Sequence, residues 1–124
     1  MFSMHYVNGI YPVDYTCYAE QFHHCNACVY NHGEYTIFQS YQTPIAAYDS
    51  FSNELIVNEY FDCSPTTRKQ FSRWLRENDL PSYQTVKTFM YDSAIGEIRN
   101  VEGFDLINLP FHAFIKHQPI VDSM

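Results

Sequence analysis

The densest chemistry in the sequence is the run His23-His24-Cys25-Asn26-Ala27-Cys28, with Cys17 upstream and His32 and Cys63 downstream. Thiolates and imidazoles are ligands that zinc prefers, and a Cys-x-x-Cys knuckle presents two sulfurs to one ion. Cys25, Cys28 and His23 are therefore the candidate metal set, with His24, His32, Cys17 or Cys63 to complete a tetrahedron. A structural zinc site usually shows a second pair at standard spacing, and none occurs here. The competing reading is a reduced cysteine pair beside incidental histidines, with no cofactor. A redox role lacks the βαβ surroundings in which such a motif works. Cys63 stands just before a helix start, where a thiol can be activated, although a small buried hydrophobe is the simpler role.

Signatures of catalysis are missing from the sequence. It has no Walker loop, no Gly-x-Ser-x-Gly and no His-Glu-x-x-His. Its glycines, Gly9, Gly33, Gly96 and Gly103, stand too far apart for a phosphate cradle. No histidine is paired in sequence with an orienting carboxylate. The expectation is a binding protein and not an enzyme.

Charge marks where binding would occur. Residues 1 to 67 contain no Lys or Arg and seven acids, while residues 68 to 124 carry seven of each sign, so the net charge of −7 belongs to the first half. An acidic field repels nucleic acid and membrane surfaces and steers toward basic partners. Asp14, Glu20, Glu34, Glu54 and Glu59 are the candidate partner-binding residues. Eleven tyrosines exceed what a core needs, because each buried phenol must find a hydrogen-bond partner. Tyrosine is enriched on binding faces. The bland alternative is that acidity serves solubility. Five of the seven bases, Arg68, Lys69, Arg73, Arg76 and Lys87, fall within 68 to 87 and offer a nucleic-acid surface as the contrary reading.

The elements that must hold these residues follow from pattern. A chain of 124 residues is one domain, 1–124, with 46% hydrophobic and 17% charged residues, within the globular range. Residues 1 to 33 read as mixed strand and loop. Tyr35, Ile37, Gln39 and Tyr41 alternate with Thr36, Phe38 and Ser40, which predicts a strand. Ile45 to Tyr48 and Leu55 to Val57 predict a hairpin around Asp49-Ser50-Phe51-Ser52-Asn53. Ser64-Pro65 starts a helix over about 65–78, with Phe71, Trp74 and Leu75 on one face and Lys69, Arg73 and Arg76 opposite. It ends before Pro81. Ser82 to Met90 is read as a second short helix, with a strand as the alternative. Ile95 to Ile98 and Phe104 to Leu109 read as strands. The fold class expected is α+β, a small antiparallel sheet with one main helix packed on one face.

No basic and apolar leader opens the chain and no stretch is long enough to cross a bilayer, so a cytoplasmic protein with reduced thiols is expected, without a membrane partner. The pieces Ser40-Tyr41-Gln42-Thr43-Pro44-Ile45-Ala46, Leu55-Ile56-Val57-Asn58 and Ser64-Pro65-Thr66-Thr67-Arg68-Lys69, with the helix through Trp74, carry a further signal. Over about residues 35–78 the chain resembles a family of short phage and mobile-element proteins. The resemblance implies a shared core of two strands and a helix, no catalytic residues, and an accessory role. Small acidic proteins of that kind inhibit bacterial defence systems such as CRISPR–Cas. The expected function is thus an anti-CRISPR-like inhibitor that binds a host protein with a basic surface. The alternatives are a small nucleic-acid-binding regulator using the basic helix face, and a zinc-stabilised interaction module.

Overall fold

Five strands precede the first helix: β1 (Tyr18–Gln21), β2 (Ala27–His32), β3 (Tyr35–Ser40), β4 (Thr43–Asp49) and β5 (Glu54–Val57). Helices α1 (Pro65–Glu77) and α2 (Tyr83–Asp92) follow, then β6 (Ile98–Val101), β7 (Phe104–Asn108) and β8 (Ile120–Val121). These come from a computed structural model that describes residues 18–22, 26–114 and 120–121. The strands form one sheet in the order β6-β7-β5-β4-β3-β2-β1-β8. Neighbours are antiparallel except β5 with β7 and β1 with β8. Parallel neighbours need a long crossover connection. Between β5 and β7 that connection is the pair of helices and β6. The class is α+β, as the pattern predicts, with the second helix also present and two parallel pairs added.

Local chemistry sets the element boundaries. The Ser64 hydroxyl accepts from the Thr67 amide at 3.1 Å, Pro65 takes the first turn, and α1 ends on Asn78. Asp79 then turns left-handed at φ 56°, and the Leu80 amide reaches back to the Leu75 carbonyl at 2.9 Å, a Schellman ending. Ser82 caps α2 through the Thr85 amide at 3.2 Å, which resolves 82–90 as helix. The strand expected at Ile95 begins later, at Ile98. Gly96, at φ 89°, makes a turn whose amide donates to the Asn108 carbonyl at 2.6 Å. Glu102 and Gly103, at φ 56° and 90°, close the β6–β7 hairpin, since a type I′ turn needs positive φ at both central residues.

Both faces of the sheet are covered, so the alternation in β3 does not sort into buried and exposed residues: Tyr35 and Ile37 to Ser40 are all buried. On one face Phe38 stacks on Trp74 and Phe71 at centroid distances of 5.3 and 5.8 Å, beneath α1. Leu55, Val57, Val86, Phe89 and Leu106 extend this core beneath the helices. On the other face Tyr30, Tyr35, Ile37, Ala47, Ile56 and Ile107 pack with Phe114. The helix faces are as read from the sequence: Phe71, Trp74 and Leu75 are buried, and Lys69, Arg73 and Arg76 are exposed.

Cys63 corrects its expectation. It is exposed, not buried. Thr67, one turn into α1, occupies the inward position and contacts the hydroxyls of Ser40 and Ser64 at 3.0 and 3.1 Å.

Candidate functional site

Strand direction brings three turns to one end of the sheet: Gly33-Glu34 between β2 and β3, Ser50 to Asn53 between β4 and β5, and Glu102-Gly103 between β6 and β7. Successive turns lie two strands apart, about 10 Å at ordinary strand spacing. This hairpin end carries Glu34, Glu54 and Glu102 and no Lys or Arg in any of its turns. In register, Asp49 faces Glu54 and Glu54 faces Asp105, a row of three carboxylate-bearing positions on adjacent strands. Asp49 is buried and accepts from the Phe51 amide at 2.9 Å, which shapes the middle turn. Asp105 accepts from the Asn100 side chain at 3.0 Å. At the tip of that turn Phe51 is 91% exposed.

The structure divides the five acids chosen from sequence. Glu34 and Glu54 share the hairpin end, at neighbouring turns. Glu59 lies at the opposite end, in a 3₁₀ turn (Glu59–Asp62), where its carboxylate accepts from the Phe111 amide at 2.7 Å and ties two segments together. Glu20 is in β1, two strands from β3, and Asp14 lies outside the described residues. The tyrosines divide as well. Tyr30 and Tyr35 are core, while Tyr41 and Tyr60 are exposed at the end away from Glu34. Among the described residues the exposed aromatic ring at the acidic end is Phe51, which sequence reading passed over. A large apolar residue centred in a Ser- and Asn-rich turn was the available signal.

Of the metal set, Cys28 is buried in β2 on the face that also holds Tyr30 and Ile37, and Cys25 and His23 lie outside the described residues. Among the described residues no three His, Cys, Asp or Glu side chains converge to hold a metal ion.

The basic residues are mostly gathered on α1. Arg73 pairs with Glu77 at 3.4 Å, and Arg99, on β6, is held by Glu97 and by Asp92 at 2.9 Å. The Ala94 amide and then the Arg99 guanidinium keep the Glu97 carboxyl below its usual range. Arg68, Lys69 and Arg76 instead line a shallow groove of about 490 Å³ between α1 and the start of α2, with Thr66, Ser72 and Tyr83. The Tyr83 hydroxyl is buried and has no hydrogen-bond partner among the described residues.

Two phenols tie stability to alkaline pH. Burial, then the Asp62 charge, pushes Tyr83 up to about 12. Burial, then the charges of Asp49 and Glu34, raises Tyr35 as well. In the unfolded chain both ionise near 10. The folded state thus holds protons the unfolded state releases; the Tyr83 contribution is full below pH about 10 and is lost as pH climbs through about 12, and Tyr35 acts in the same direction. Thermal melts should show stability falling across that window, and Tyr83→Phe should make the fall shallower. Equal slopes in the two proteins would remove Tyr83 from this account.

The arrangement is that of an α+β layer protein whose ends and helical face differ in charge, with no helix among the described residues long and apolar enough to cross a membrane. The chain belongs to DUF8033, a family of unknown function whose model matches residues 9–92. That match takes in the stretch 35–78 singled out from sequence and extends it in both directions. No curated protein and no solved structure matches the chain.

Proposed function

We propose that this chain is a non-enzymatic binding module whose hairpin end docks on a basic surface of a partner protein. The observation that carries the reading is Phe51, 91% exposed at the tip of the middle turn and flanked by the turns bearing Glu34 and Glu102. Folding gains nothing from an aromatic ring left in water. An apolar anchor ringed by charged groups is how interface energy is usually arranged, with the centre supplying affinity and the rim excluding water. The carboxylates around it raise the rate of encounter with a positive surface. The resemblance of residues 35–78 to short mobile-element proteins supports an accessory role. A defence nuclease, whose nucleic-acid groove is necessarily basic, is the proposed class of partner.

The test is capture of partners from nuclease-treated bacterial lysate by the immobilised chain, followed by binding measurements on the partner recovered. Phe51→Ala should weaken binding by about 30-fold or more, the scale of an interface hot spot. The combined change Glu34→Lys, Glu54→Lys should slow association. Raising salt beyond the point where the Debye length is about 8 Å should do the same. Binding indifferent to both Phe51→Ala and salt would refute the reading.

A further inference from the structure

We propose that the groove between α1 and α2 is a binding channel for the sugar–phosphate backbone of single-stranded nucleic acid, a site separate from the hairpin end. Arg68, Lys69, Ser72 and Arg76 recur at helical spacing along one wall. Arg76 stands seven and eight residues beyond Lys69 and Arg68, or about 10–12 Å along the helix. That separation is too long for one phosphate and suits phosphates about two nucleotides apart on an extended strand.

The cations in the groove keep their charge available. Arg68 donates to the Asp62 backbone carbonyl at 3.2 Å, which leaves its charge uncompensated at that contact. Among the described residues Lys69 and Arg76 form no ion pair, whereas Arg73 and Arg99 do. Thr66 and Ser72 add hydroxyls that donate to phosphate oxygens. The groove continues past Ser72 and Arg76 into a second depression of about 400 Å³, bounded by Asp79, Leu80, Ser82 and Tyr83. Asp79 lines this second depression, and the Asp62 backbone holds Arg68 at the other end. Glu34, Asp49, Glu54, Glu102 and Asp105 lie away from the groove, at the hairpin end of the sheet. Local charge decides the contact, because screening confines each field to about 8 Å at physiological salt.

A shallow channel favours a single strand over a duplex. A duplex would need bases presented by α2 as well, and α2 offers only Lys87, whose ammonium rests over the Tyr91 ring at 6.0 Å. Arginine also matches phosphate in a planar, two-pronged way that lysine does not.

Fluorescence anisotropy with a labelled 12-nucleotide oligothymidine tests this, against duplex of equal length and polyglutamate as competitors. Saturable binding is expected at low salt, with log K falling by about 2 per decade of salt for three phosphate contacts. Arg68→Ala/Lys69→Ala/Arg76→Ala should weaken it at least tenfold and flatten the salt slope. Lys69→Ala/Arg76→Ala, which changes two exposed side chains, should give a smaller loss with an unaltered circular dichroism spectrum. No saturable binding, stronger competition by polyglutamate or duplex than by unlabelled strand, or affinity unchanged in the folded double variant would each overturn the proposal.

Discussion

Replacing Trp74 by alanine should lower the unfolding free energy by about 3–5 kcal/mol, the range for deleting a buried tryptophan. The residue is 1% exposed and stacks on Phe38 at 5.3 Å and Phe71 at 6.1 Å. Its removal opens a void between α1 and β3 that neither ring can fill without leaving its own stacking partner. Against a total stability of about 5–15 kcal/mol this is a large share. The melting midpoint should fall by about 10–20 °C for a domain of this size. Lys69→Ala or Arg76→Ala, on the far side of the same helix, should cost well under about 1 kcal/mol. Denaturant titrations of the three proteins check both statements. A collapse caused by the basic changes, with Trp74→Ala tolerated, would mean that the helix is turned the other way.

Asn58→Ala should cost about 2–3 kcal/mol, more than a surface asparagine, because the buried Pro44 carbonyl and the part-buried Tyr60 amide would lose their partner. Asn58 is fully buried at the end of β5. Its side-chain amide donates to the Pro44 carbonyl at 2.6 Å, and its side-chain oxygen accepts from the Tyr60 amide at 2.9 Å, capping the 3₁₀ turn. One side chain thus fastens β4 to the connection that leads into α1. Asn58→Asp keeps the acceptor but loses the donor and buries a charge, so it should be no better than alanine at neutral pH. Equilibrium unfolding of both variants is the check. A loss below about 0.5 kcal/mol in Asn58→Ala would show that water or a backbone shift replaces these bonds.

Much of the helical layer was legible in the sequence. Ser64-Pro65, the spacing of Phe71, Trp74 and Leu75, and the stop before Pro81 each act within four or five residues. The helix, its caps and its buried face therefore follow from local rules. The three hairpin turns were visible in part: Gly33 and Asn53 mark positive φ, while Glu102 alone would not suggest a left-handed position. The charge division between the two halves of the chain was also legible, since it needs only counting.

Tertiary structure decided which of those charges meet. Asp49, Glu54 and Asp105 stand in one row only because β4, β5 and β7 are neighbours, and β5 and β7 are fifty residues apart and parallel. Strand pairing is non-local, so neither its partners nor its register can be read from a short window. The same pairing separated Glu59 from Glu34 and Glu54 and turned it into a tie for the Phe111 amide. It left Phe51 in water and turned Cys63 outward, although composition favours burial for both. Sequence alone determined the helices and the sign of the charge, because those depend on nearest neighbours along the chain. Where the charge gathers, and which aromatic ring stands among it, depended on contacts that exist only once the sheet has closed.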